Sequence, residues 1–430
     1  MNTNHYIAID QLRVGLYIHL DLSWMNHPFT MSNFKIHDEE QIEKIKQIGL
    51  KKLRYDPRRS ECEPLSPVPE SLVLKSIAPA LETDKGAPVV DSNIQQKKEL
   101  SVEKIRRERL KQLSHTIDES EKRFVAVSDV VKNVTENILT APKASVDQAT
   151  AVVDEIVTMT LTEGDIVIHA LNGNRSSDSH YQHPLNVTVL ALMLAKSLSI
   201  SKEEMQLLGV SAMLHDIGKT EINTSILKKT KLTKSELAEH QLHSAYGAQL
   251  IHKLGLPSRI GRVLLQHHEC WDGSGYPNHL KGEQIDPLAT IIFVANTYDN
   301  LCNPLQHTEA KSPFEALRMM FTHLRTQCND DLLKRFIKSL GVYPPGSIVK
   351  LSDSNYATVI SVNPEQPLRP YVQLQDDGVS TFPQILNLQE ESNLSITSCL
   401  NTSQLSPTLL QTLNPRKRIN YFIDKLPSDT

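Results

Sequence analysis

Apolar positions change their spacing several times along the chain, and each change marks a different kind of segment. Residues 1–60 open with YIAIDQLRVGLYIHLDLSW, strand-like apolar stretches around a turn at Val14 and Gly15. DEEQIEKIKQIG then reads as a short helix, with Ile42, Ile45 and Ile48 at helical spacing and Gly49 closing it. LKKLRYD is a return strand, so the segment predicts a small α+β domain. Residues 61–96 carry Pro64, Pro67, Pro69, Pro79 and Pro88 among Ser and charged residues, the composition of an extended linker. Residues 97–142 form a connecting helix. In it Leu113, Ile117, Ser120, Phe124, Val127, Val131, Val134 and Ile138 recur at alternating steps of four and three, a coiled-coil-like seam ended by Pro142. Such a seam either packs on its own domain or pairs two copies as a homodimer stalk. The basic run KIRRER at 104–109 reads as a solvated helix face.

From 143 to 342 the pattern is one of consecutive helices. Residues 186–198 are strongly apolar. Ser201 with Glu204, and Thr233 with Glu236, make capping boxes. The first opens a helix over roughly 202–217, with Met205, Leu208 and Ala212 on one stripe and Gly218 as its stop. The second opens a helix that ends near Gly255. Pro287 starts LATIIFVANTYDN, and Ser312, Pro313 and Glu315 mark a further start. No alternating strand pattern interrupts the stretch, which predicts an all-α domain. Beyond it, SIVKLSD, YATVISVN and YVQLQ predict a small β-rich appendage over 343–390, followed by a Ser/Thr/Asn-rich polar tail over 391–430.

Composition narrows the class. The chain has 430 residues, 39% hydrophobic and 22% charged, as in an ordinary globular protein. A net charge of -4 with a pI near 6.5 argues against a broad nucleic-acid surface. The five cysteines, Cys62, Cys270, Cys302, Cys328 and Cys399, are scattered without CxxC spacing, which predicts free thiols in a reducing compartment. No apolar run approaches the ~20 residues of a membrane helix and no secretory signal opens the chain. The expectation is a cytoplasmic protein with no membrane or nucleic-acid partner.

The chemistry concentrates at 266–277, QHHECWDGSGYP. Imidazoles and carboxylates are common ligands for transition metals. Adjacent helical side chains point about 100° apart, so His267 and His268 cannot share one patch of core. Either one of them faces water, or both reach a metal-lined cleft. In SAMLHDIGK, His215 and Asp216 sit in the last turn of a helix, with Lys219 just beyond. Alone, that pair reads as a surface hydrogen bond. With His267 and His268 it supplies a carboxylate able to bridge two ions.

HDIGK followed by HHECWDGSGYP resembles the HD-GYP family, a branch of the HD metallo-phosphohydrolases, over roughly residues 145–342. The resemblance implies an all-α HD-superfamily domain, and the opening segment is similar to the small domain that often precedes it. It implies hydrolysis of cyclic di-GMP to pGpG, and on to GMP, by a water acidified between two cations. Iron or manganese, as two divalent ions, is the implied cofactor. By the same resemblance His183, His215, Asp216, His243, His267 and His268 are the metal ligands, with Asp216 bridging and catalytic. Lys219 is the second catalytic candidate, holding a phosphate oxygen. Asp272, Gly273, Gly275, Tyr276 and Pro277 form the substrate loop at the cleft mouth. Glu269 is expected to support ligands rather than bind metal. His169, His180, His240 and His252 stay unassigned.

Three positions depart from the family. VANTYDN places Asn296 where the family has an aspartate ligand, so a neutral amide stands in the ligand set; Asp299 matches the second, structural aspartate. Ser179 stands where members with three metals have glutamate, which implies two. Asn303, Pro304 and Leu305 occupy the loop of a phosphate-gripping arginine. These departures keep two other readings open. One is a catalytically weak module that binds cyclic di-GMP or a GGDEF-domain protein as an adaptor. The other is a hydrolase for another cyclic dinucleotide.

Overall fold

The computed structural model describes residues 5–20, 33–47, 50, 52–64, 92–161, 166–172, 181–304, 309–363, 366–375, 384–391, 393–401, 404–407, 409, 413 and 418–425. Contacts divide the chain into two units, Met1–Arg106 and Arg107–Thr430.

In the first unit, β1 (His5–Ala8), β2 (Tyr17–His19), β3 (Asn33–Lys35) and β4 (Lys52–Tyr55) form an antiparallel sheet in the order β1-β4-β2-β3. Helix α1 (Glu39–Gln47) supplies Ile42 and Ile45 to a core with Leu16, Ile18, Ile36 and Leu53. Gly15 occupies the expected turn at φ +98°, a conformation costly for any residue with a Cβ. The predicted α+β domain is therefore present. Ile48, Gly49 and most of the predicted linker, 65–91, lie outside the described residues.

The second unit takes up the chain within α2 (Ser92–Asn137) and continues through α3 (Pro142–Leu161), α4 (Gln182–Lys196) and α5 (Lys202–Leu214). After these come the short α6 (Thr224–Leu227), α7 (Lys234–Gln241), α8 (His243–Lys253) and α9 (Ser258–Gln266), then α10 (Pro287–Cys302), α11 (Pro313–Thr322) and α12 (Asp330–Leu340). Their starts follow local chemistry. The side chains of Ser201, Thr233, Asp286, Ser312 and Asn329 each accept a backbone N–H of the first turn, a contribution of about 1 kcal/mol apiece. Helix α4 is apolar on every side and buries Leu185, Val189, Leu190, Leu192 and Leu194 completely, so it forms the centre of the bundle. Each such side chain contributes roughly 1.5–3 kcal/mol.

The seam on α2 has a specific use. Phe124, Val131, Val134 and Ile138 are buried in the same core as Val153, Ile156 and Val157 of α3, and Leu113 packs with Ile360 and Ile385. The packing on its own domain is the one realised. The seam side chains Leu113, Phe124, Val131, Val134 and Ile138 are covered within the chain itself.

The strands are β5 (Ile166–Asn172), β6 (Ile348–Leu351), β7 (Tyr356–Ser361), β8 (Tyr371–Leu374), β9 (Ile385–Asn387), β10 (Ile396–Leu400) and β11 (Ile419–Lys425). They form one antiparallel sheet in the order β10-β6-β7-β5-β11, with β8 pairing β7 and β9 pairing β8. Two segments differ from the sequence reading. The helical stretch contains β5, which pairs with β11 from Ile419↔Asn172 to Lys425↔Ile166. The segment expected to be a polar tail contains β10 and β11. Tyr421 and Phe422 are buried there, Phe422 meeting Phe124 edge-to-face at 6.5 Å. β5 and β11 pair with each other across about 250 residues, so no hairpin spacing between neighbouring runs announces either strand.

Among the described residues no helix is long and apolar enough to cross a membrane. All five cysteines are free thiols.

Phe422→Ala should lower the free energy of unfolding by about 3 kcal/mol, measured by chemical denaturation. In a solvated tail the same change would stay within about 0.5 kcal/mol.

Candidate metal centre

The ends of four helices converge on one carboxylate. The sequence predicts a helix through residue 217; the structure ends α5 at Leu214, makes His215 its C-cap and continues as a 3-10 turn over Ile217–Glu221. The reason is close packing. A Cβ on Gly218 would lie 1.9 Å from the His243 carbonyl oxygen and 2.4 Å from the Gly247 nitrogen. Only glycine lets this turn rest on the first turn of α8, and that contact brings Asp216 to His243. Gly275 acts likewise in the DGSGYP loop, where a Cβ would lie 2.2 Å from the Cys270 nitrogen.

Asp216 stands between two groups of side chains. Its Oδ2 lies 3.7 Å from His183 Nε2, 3.4 Å from His215 Nε2 and 2.5 Å from Lys219 Nζ. Its Oδ1 lies 3.5 Å from His243 Nε2 and 3.9 Å from His267 Nε2. His268 Nε2 approaches His243 Nε2 at 3.1 Å, and His243 and His267 bring their Nε2 atoms to 3.4 Å. Two sets, Asp216 with His243, His267 and His268, and Asp216 with His183 and His215, could each hold a metal ion.

The tautomers follow from the other ring nitrogens. Nδ1 of His215, His243 and His267 faces the carbonyl three residues earlier, at Ala212, His240 and Leu264. Nδ1 of His183 faces Asp299 Oδ2 at 2.6 Å. None of these oxygens can donate, so each Nδ1 carries the proton and each Nε2 turns a lone pair inward. Lone pairs 3.4 Å apart repel unless a cation lies between them. Asp216 Oδ1 and His215 Nε2 are buried without a hydrogen-bond partner, which is costly for an anion. The donor set therefore fits a pair of metal ions.

Electrostatics agree. Burial pushes His215 down to about 4, and His243 and His267 to about 3, so the rings stay neutral at physiological pH. Burial opposes charge on Asp216, but Lys219 and the surrounding rings outweigh it and hold the carboxyl well below its usual range.

The remaining candidates fall around this cluster. Lys219 neutralises Asp216 at the edge of the cleft. Tyr276 stacks on His268 at 4.7 Å, and burial pushes its hydroxyl up, leaving a neutral donor. Asp272 Oδ1 accepts from Ser274 N and Oγ, and Gly273 has φ +83°, so both shape the loop that ends at Pro277. Glu269 accepts from Asn278 N and Leu280 N, tying the loop to α9. Asn296 is buried, and its Oδ1 accepts from Asn300. Ser179, His180 and Leu305 lie outside the described residues. The sequence reading missed Asn186 and Asn303, which hold Asp299 Oδ1 at 2.9 and 2.8 Å. The one signal for Asn186 is an amide inside an apolar helical run; Asn303 is the C-cap of α10.

Residues 165–330 match the HD domain family. Residues 5–149 match a domain of unknown function, DUF3391, and residues 348–407 a KOW domain associated with the HD domain. The helical unit and its histidine–aspartate cluster make the chain an HD-domain protein. Cyclic di-GMP phosphodiesterase PA4108 of Pseudomonas aeruginosa is 25% identical over 383 residues, 88% of this chain and 86% of that protein. The 3'3'-cGAMP-specific phosphodiesterase 3 of Vibrio cholerae is 32% identical over 163 residues, 38% of this chain and 35% of that one. The cyclic di-GMP phosphodiesterase response regulator RpfG of Xanthomonas campestris is 35% identical over 154 residues, 34% of this chain and 40% of that one. The chain thus carries an HD domain flanked by DUF3391 and KOW segments, and over most of its length it is similar to the Pseudomonas cyclic di-GMP phosphodiesterase.

The metal-free protein should lose stability as pH falls. Unfolded imidazoles bind protons near 6.5, whereas His215, the least depressed of these three, binds one only near 4 in the fold. Stability is then fully present above about 6.5 and declines toward about 4, on the order of 2 kcal/mol per ring at about pH 5. Chemical denaturation at about pH 7.5 and about pH 5 checks this. Equal stability at both would mean the rings are not held neutral.

Proposed function

We propose that the chain hydrolyses cyclic di-GMP to linear pGpG and on to GMP. In this reading His183, His215, Asp216, His243, His267 and His268 hold two divalent transition-metal ions, iron or manganese, with Asp216 shared. The observation that carries it is the pair of donor sets meeting at one largely covered carboxylate, with the buried atoms Asp216 Oδ1 and His215 Nε2 lacking hydrogen-bond partners. The likeness to the Pseudomonas cyclic di-GMP phosphodiesterase over most of both chains supports the substrate.

Such ions, when bound, supply an acidified water at neutral pH and take up charge on the phosphoryl oxygens. The chain's own residues do the rest. The Nδ1 contacts keep the ring lone pairs aimed inward. Lys219, two-thirds covered and beside Asp216, offers a compact cation to a non-bridging phosphate oxygen. Tyr276 offers a neutral hydroxyl and a ring edge to a guanine, and Asp272, Gly273, Gly275 and Pro277 shape the loop that presents it. Asn296 contributes no more than a neutral oxygen. The site acts in the cytoplasm, where cyclic dinucleotides are made.

Two observations favour narrower alternatives. Asn296 in place of a carboxylate favours a weakly metallated adaptor that binds cyclic di-GMP or a GGDEF-domain partner. The Vibrio relative named for 3'3'-cGAMP favours a different cyclic dinucleotide.

Reduced protein supplied with Fe(II) or Mn(II) should break down cyclic di-GMP, followed chromatographically with 3'3'-cGAMP in parallel. Asp216→Ala should lose metal and at least about 1000-fold in rate. Turnover unchanged in that variant rejects the site. Binding without turnover selects the adaptor, and preference for 3'3'-cGAMP changes the substrate. Asn296→Asp should raise both metal content and rate.

A further inference from the structure

The inward-facing imidazoles are not supported alike. His215, His243 and His267 give their Nδ1 protons to backbone carbonyls three residues earlier in the chain, that of His243 lying at the end of α7. His183 gives its proton to Asp299, a carboxylate with no exposed surface on another helix, at 2.6 Å. Asp299 is itself held from far away. Its Oδ1 accepts from Asn186 Nδ2 of α4 and Asn303 Nδ2 at the end of α10. Both amides also grip the backbone of β11. Asn303 donates to the Ile419 carbonyl at 2.8 Å and accepts the Ile419 N–H at 2.9 Å. Asn186 donates to the same carbonyl at 3.0 Å and accepts the Tyr421 N–H at 3.1 Å.

The strand geometry explains why those groups are available. Among the described residues β11 is the edge strand of its sheet and pairs with β5 alone. Along an antiparallel strand, alternate residues turn their N–H and C=O to opposite edges. Residues 419 and 421 thus share one edge, and the two asparagines cover it. An exposed edge is ordinarily blunted by charge, proline or a covering loop. Here side-chain amides cover it and relay its position to Asp299.

We infer that β11, through Asn186, Asn303 and Asp299, is a positioning element for His183, and so for one of the two metal sites only. The inference rests on the reading of His183 as a ligand. Partners that orient a ligating histidine typically carry 10–100-fold in metal affinity. Asn186, Asn303 and Asp299 touch neither substrate nor the inward-facing nitrogens; they set the tautomer and angle of one ring. In the other donor set, His243 and His267 take their support from backbone carbonyls three residues earlier in the chain. The two sites should therefore respond unequally to changes at β11.

The test uses the full chain and Mn(II), titrated anaerobically and followed by electron paramagnetic resonance. Wild type should bind two ions and show a spin-coupled pair. Asp299→Asn, isosteric but neutral, and Asn303→Leu should each weaken one ion about 10–100-fold and leave the other within about threefold. The coupled spectrum should give way to the six-line signal of a single ion. Hydrogen exchange on wild type needs no variant. Mn(II) binding should slow exchange of the 419–425 amides about tenfold, because coupling between binding and strand is reciprocal. If both ions weaken together, or neither does, or exchange at 419–425 ignores Mn(II), the inference is overturned while the metal centre stands. If wild type fails to bind two ions, the metal reading itself falls and takes the inference with it.

Discussion

A carboxylate buried among neutral imidazoles is the constraint on which the helical unit turns. Asp216 is kept ionised where burial opposes its charge, and Lys219 reaches only one of its oxygens. An isolated anion in such surroundings costs far more than a typical fold can spare. The chain resolves this by bringing ring nitrogens from separate helix ends to within 4 Å of it. The arrangement is stable as an apolar bundle on the outside and becomes electrically complete with cations at its centre.

Precision at that centre comes from absent atoms as much as from present ones. Gly218 lets the 3-10 turn after His215 touch the backbone of α8, and Gly275 lets the loop lie on the backbone of His268 and Glu269. Each close approach fixes the separation of ligand-bearing segments within a few tenths of an ångström. Neither can be relaxed by a flexible side chain, because the opposing atoms are backbone.

What was legible in the sequence is what is local. Ser201, Thr233 and Ser312 announce their helices because a cap is a contact between near neighbours. The HDIGK and HHECWDGSGYP runs announce the cluster because their residue types have few other uses together. The rest depends on distant pairing. The strand of residues 166–172 is a short apolar run with no pairing run next to it, and its partner at 419–425 lies about 250 residues further along the chain. The seam on α2 carried the right period for packing, but period alone does not distinguish a neighbour in the same chain from a second copy. Asn186 and Asn303 acquire a role only when β11, distant in sequence, lies beside them.

The pairing of β5 with β11 also has a consequence in time. Ribosomes add on the order of 5–20 residues per second, so β5 emerges at least about ten seconds before its partner exists. Through that interval its free edge, the amides of Asn186 and Asn303 and the carboxylate of Asp299 lack the backbone they are built to meet. A nascent chain can assemble the histidines of α8 and α9 early, but His183 gains its final orientation only after residues 419–425 have left the exit tunnel. The final seating of His183, and with it of one of the two donor sets, is thereby placed after translation of residues 419–425.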